Sequence, residues 1–191
     1  MGNFTKTEID ADIAMLADNI SSGNRIIPSN SDLLRRCFFI PVVSLILSLV
    51  STLVFYLVDS HRYKNLYSDG FFNFLTSEGW VVIAPTVIIG LLFSFMTYNN
   101  LILYLTISNE VREKSLVLRH LKKVVKKVVV FFLGVMLLST LLCAFIPWLA
   151  FGVPASEAAL FFIVNIVVGM EINRLGAGVA LEKVSNLLKK I

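Results

Sequence analysis

Two long apolar runs joined by a stretch of cations constrain this chain more than any other feature. Trp80 to about Leu105 is apolar almost throughout, and Val128 to Ala150 is apolar again. Between them stand Arg112, Lys114, Arg119, Lys122, Lys123, Lys126 and Lys127. A helix needs ~20 mostly apolar residues to cross a bilayer, and both runs reach that length. An excess of Lys and Arg marks the cytoplasmic side, so the hairpin is expected to keep its basic turn in the cytoplasm.

Two further apolar runs flank this hairpin, Phe38 to Val58 and a fourth from near Ala158. Only 16% of the 191 residues are charged and 57% are hydrophobic, and the mean hydropathy is +0.80. Soluble domains carry about a quarter charged residues, so a water-solvated globule is excluded. The expectation is an all-α membrane protein with four transmembrane helices, at about 38–58, 80–105, 128–150 and 158–178. A cytoplasmic segment of residues 1–36 precedes this domain (37–181), 106–127 forms its basic turn, and 182–191 is a short tail. Seventeen Lys and Arg test that topology. Fifteen fall in the N-terminal segment, the basic turn and the stretch from Arg174 onward, and only Arg62 and Lys64 fall in the opposite loops. Both termini are therefore expected in the cytoplasm. The net charge of +4 is assigned to topology and lipid headgroups, and direct nucleic-acid binding is not expected.

The first residues carry a helical signature. Thr5-x-x-Glu8 has the form of a capping box. Ile9, Ile13, Leu16 and Ile20 then recur on one helical stripe, and Gly23 is a fitting C-terminal cap. The polar face is acidic (Glu8, Asp10, Asp12, Asp18), which anionic lipid would repel. Docking on the protein's own basic segment, or on a partner, suits the signs better. No short apolar stretch ends in a small-residue cleavage site, so no cleavable signal peptide is expected. Cys37 and Cys143 lack CxxC spacing and are expected as buried free thiols.

The loop from Asp59 to Gly79 is crowded with aromatic side chains. Tyr63, Tyr67, Phe71, Phe72 and Phe74 form either an interfacial belt or a contact surface for an extracytoplasmic partner. Within the spans, Asn99 and Asn100 are expected to bond to a neighbouring helix. Glu171 stands out as an ionisable group near the bilayer. Arg174, three residues on, shares its face and can pair with it. No catalytic or metal-binding constellation emerges: His61 and His120 lie on opposite sides of the membrane, and no P-loop or dinucleotide fingerprint is present. Neither an enzyme nor a cofactor is expected. No row of polar residues in several helices marks a transport pathway.

Ser21-Ser-Gly-Asn-Arg-Ile-Ile-Pro-Ser29, followed by Leu33-Leu-Arg-Arg36 and an apolar run, resembles the TraS entry-exclusion proteins of F-like conjugative plasmids. The resemblance covers under a tenth of the chain. It implies a protein of the bacterial inner membrane that blocks redundant DNA transfer by recognising a donor component of the TraG type. Membrane lipid, and in some arrangements a second copy of the chain, would be its other partners. Two alternatives share the same features. One is an immunity protein against a pore-forming colicin, and the other is a non-catalytic subunit or assembly factor of a membrane complex.

Overall fold

The structure, a computed structural model, describes residues 4–21, 27–62 and 70–176. These residues are almost wholly helical, with no strand among them. In chain order the elements are α1 (Lys6–Ser21), α2 (Asn30–Cys37), α3 (Phe39–Arg62), α4 (Phe71–Phe74) and, after one π-helical turn at Leu75–Gly79, α5 (Trp80–Thr106). Then come α6 (Asn109–Lys114), α7 (Leu116–Leu142), a 3-10 turn at Pro147–Phe151, and α8 (Gly152–Arg174). Four stretches are long and apolar enough to cross a membrane: Phe39–Val58, Phe71–Thr106, Leu116–Leu142 and Pro147–Arg174. The protein is an all-α, multi-pass membrane protein.

Its exposed surface agrees with that class. Phe95, Phe131 and Leu141 are 72%, 65% and 70% exposed. Rows of large apolar side chains this bare suit a hydrocarbon solvent and would make a water-soluble monomer aggregate. Inside, small hydroxyl side chains such as Ser44, Ser48 and Thr86 stand among buried apolar ones such as Phe74, Met136 and Leu160, as expected when helices pack without a hydrophobic force between them.

Four boundaries differ from the apolar runs. The third helix starts at Leu116 rather than 128, because Val117, Leu118, Leu121 and Val125 carry the apolar stripe through the cations. It ends at Leu142, and Pro147–Phe151 forms a 3-10 turn rather than its last turn. The fourth helix starts at Gly152 rather than 158. Pro154 lies in its first turn, where a missing N–H costs nothing, so the Gly-Val-Pro sequence opens the helix. It ends at Arg174, two residues before Gly176, whose φ of 65° lies in the left-handed region that glycine enters freely. Gly23 and everything beyond Gly176 lie outside the described residues.

The chain divides into two compact units. The first comprises the described residues up to Leu34, Tyr98–Val128, and those from Ile163 onward. It holds α1 and α2 (up to Leu34), and Ile9, Ile13 and Leu16 of α1 are buried there. Ile9 and Ile13 cluster with Val117 and Leu175, and Leu16 packs on Ile107. The second unit comprises Arg35–Thr97 and Val129–Phe162, where parts of α3, α5, α7 and α8 pack together. Both cysteines belong to it as free thiols, Cys37 being 1% and Cys143 0% exposed. Burial pushes the Cys37 thiol above its ordinary value, which keeps it from ionising and reacting.

Candidate functional site

In the first unit the feature with the most chemistry is the start of α7. Ser115 is its N-terminal cap, accepting the Leu118 N–H at 3.2 Å. Asp12, 7% exposed, reaches across from α1 to the same place. It accepts the Ser115 hydroxyl at 2.7 Å and the N–H groups of Leu116 and Val117 at 3.1 and 3.0 Å. The first N–H groups of a helix have no partner within it, and the dipole makes that end positive, so a carboxylate satisfies both needs. The capping box of α1 also forms: the Thr5 N–H donates to Glu8 Oε2 at 2.8 Å, and the Glu8 N–H to Thr5 Oγ1 at 3.3 Å. The Thr5 N–H and hydroxyl hold the Glu8 carboxyl below its ordinary value.

The acidic helix therefore docks on its own chain, and its Asp12 contact is helix capping rather than an ion pair with the cations. Arg112 stacks over the Tyr104 ring at 5.0 Å, and Lys114 pairs with Glu110 at 2.6 Å. Arg119, Lys122, Lys123, Lys126 and Lys127 are all exposed, where headgroup phosphates could meet them.

Glu171 and Arg174 are paired, as their spacing suggests, at 3.1 Å. Glu171 also meets His120 of α7 at 3.3 Å, and the His120 and Phe4 rings are nearly perpendicular with their centroids 5.5 Å apart. Glu171 thus stands among partners within the first unit, joining α8 to α7. Asn99 and Asn100 depart from expectation, since both side chains are exposed on α5 and neither serves as glue inside the unit.

In the second unit the polar contacts come from small hydroxyls. Ser44, Ser48, Ser51 and Thr52 of α3 are 0–1% exposed, and Thr86 of α5 is 1% exposed. Most of them bond back to the preceding turn of their own helix, as Ser and Thr do in apolar surroundings. The Thr52 hydroxyl donates to Ser48 O at 2.9 Å and that of Ser94 to Gly90 O at 2.9 Å. Thr86 also reaches Ser48 Oγ at 3.3 Å. Polar residues do line several helices, contrary to the reading of the sequence.

Two groups are not accommodated in this way, the Ser51 hydroxyl, which has no hydrogen-bond partner, and Glu157. Glu157, in the second turn of α8, is 0% exposed, and neither of its carboxylate oxygens has a hydrogen-bond partner. A methyl group at Gly90 would stand 3.2 Å from Glu157 Oε1 and 3.0 Å from Pro41 Cβ, so the glycine leaves the room that the carboxyl group occupies. The hydroxyl of Ser44, beside it, donates to Ile40 O at 3.0 Å. Sequence reasoning singled out Glu171 and passed over Glu157, because the fourth span was expected from about residue 158, which left the glutamate just outside it.

The aromatic end of the second unit is divided by burial. Phe74 is 0% exposed and packs on Phe55 and Tyr56 at centroid distances of 5.5 and 5.4 Å. Phe71 rests on Tyr56 at 5.4 Å. Both are supports rather than free contacts. Phe72 is 80% exposed, and so is Trp148 in the 3-10 turn. Phe145 is 74% exposed. Tyr63 and Tyr67 lie outside the described residues. Among the described residues no group of His, Cys, Asp and Glu could hold a metal ion. The chain matches no protein-family model, no curated protein and no solved structure with which it was compared.

Proposed function

We propose that the protein is an entry-exclusion protein of a bacterial inner membrane, with both termini in the cytoplasm. It would recognise a donor transfer component of the TraG type and act without catalytic turnover. The observation that carries this reading is the exposed aromatic group of Phe72, Phe145 and Trp148. Along α7, the cations occupy the first half and the far end leads into Phe145 and Trp148. If the cations face the cytoplasm, the aromatics face outward, toward a donor cell. Phe72 sits next to Phe71 and close to Phe74, both packed on α3, so its mount is rigid. Exposed aromatics on a fixed support are the type of anchor that dominates protein–protein binding energies. The resemblance of residues 21–36 to TraS proteins points to the same function.

The test is conjugation into recipients expressing this chain alone, from a matching F-like donor and from an unrelated donor. A large fall in transfer from the matching donor only is expected, and Phe72→Ser together with Trp148→Ser should restore transfer. Unchanged transfer from every F-like donor, with the protein confirmed in the membrane, rules the reading out. Protection of the same cells against a pore-forming colicin would favour immunity instead.

A further inference from the structure

We propose that the Glu157 carboxyl group is an intramembrane proton-binding site. The site is built by α3, α5 and α8 within the second unit, with Gly90, Pro41 and Ser44 around the carboxyl group. Gly90, Pro41 and Glu157 all fall within stretches apolar and long enough to cross a membrane, Phe71–Thr106, Phe39–Val58 and Pro147–Arg174.

A carboxylate this buried needs a neutralising partner. No Asp, Lys, Arg, His or second Glu of α3, α5, α7 or α8 lies within two turns of the site along its helix. On α5 the first titratable side chain beyond Gly90 is Tyr98, and the helix contains no Asp, Glu, Lys, Arg or His. On α3 the first beyond Ser44 is Tyr56, with Asp59, His61 and Arg62 at the far end, fifteen or more residues away. In α7 the stretch 129–142 has none, and on α8 the next is Glu171. Cys37, one turn before Pro41, is a buried thiol. Arg35 and Arg36 are exposed.

The neutralising species must therefore come from outside the fold. An alkali or divalent ion demands several oxygen ligands at once. The Ser44 hydroxyl is the oxygen donor beside Glu157, and its proton already serves Ile40 O. A proton needs only the carboxyl oxygen itself. Ionisable groups inside spans recur at proton relays and ion pathways. The Thr86 hydroxyl of α5, one turn before Gly90, donates to that of Ser48, one turn beyond Ser44 on α3.

The experiment uses the full chain in liposomes at neutral pH. The infrared spectrum should contain the C=O band of a neutral carboxylic acid that is missing from Glu157→Gln. An apolar carbodiimide should give an adduct that mass spectrometry maps to Glu157 in the wild-type protein, so the assignment survives even if the variant misfolds. Absence of both the band and the adduct overturns the proposal. Loss of the band on adding sodium at constant pH would identify an alkali ion as the occupant and overturns it equally.

Discussion

Asp12→Ala is expected to release α1 from the start of α7. The substitution removes one side chain and leaves three donors without their acceptor: the Ser115 hydroxyl and the Leu116 and Val117 N–H groups. Losing a helix cap costs ~1 kcal/mol, and a buried donor left unpaired about 1–3 kcal/mol. A loss on the order of 3 kcal/mol in docking follows, which is roughly a hundredfold shift toward the released helix. Ile9, Ile13 and Leu16 still favour docking, each by about 1.5–3 kcal/mol, so the helix should open transiently rather than be lost. Amide hydrogen exchange of α1 in detergent-solubilised protein reads this directly. Exchange should accelerate in Asp12→Ala, less in Asp12→Asn, which keeps one acceptor oxygen, and hardly in Asp10→Ala, whose side chain is exposed. Equal exchange in wild type and Asp12→Ala would show that the cap contributes nothing to docking.

Gly152→Leu should destabilise the second unit. A Cβ at this position would overlap Ser139 Oγ and stand 2.9 Å from Ser139 Cβ. Rotating the hydroxyl away removes the first overlap but breaks its hydrogen bond to Leu149 O at 2.8 Å, and the second overlap persists. Overpacking of this kind costs ~1–3 kcal/mol. A leucine, branched beyond Cβ, should lie at the upper end. The expected readout is a lower midpoint of thermal unfolding in detergent. Gly134→Leu, where nothing lies within 4 Å of the added Cβ, should leave that midpoint close to wild type.

Much of this architecture is legible from residue pattern, for stated physical reasons. Run length alone gives four spans, because the bilayer sets a minimum that few soluble helices meet. The Thr5–Glu8 capping box and the Glu171–Arg174 pair depend only on spacing along one helix, and both form. What depends on tertiary neighbours was not legible. The excess acid of α1 pointed to the cations, but the docking contact is Asp12 on bare N–H groups, and backbone donors leave no trace in a charge pattern. Asn99 and Asn100 lie on a helix that is apolar nearly all round, so its sequence does not say which side faces inward.

Glu157 shows a different failure. Gly152 and Pro154 are turn residues by type, and proline in a helix's first turn is equally ordinary. Only the structure decides between the two, and the decision moves a glutamate from a loop into a span. The hydroxyls at 44, 48, 51 and 52 do carry helical spacing. They form an inward stripe on α3.

In the proposed topology the aromatic end faces outward and the cations face the cytoplasm. Single cysteines report on it, because the native thiols at 37 and 143 are buried and should stay silent. The measurement is labelling of Phe72→Cys and Lys123→Cys with a membrane-impermeant maleimide, in intact spheroplasts and again after lysis. The account predicts that residue 72 is labelled in intact cells and residue 123 only after lysis. Labelling of residue 123 from outside, with residue 72 protected until lysis, would contradict it.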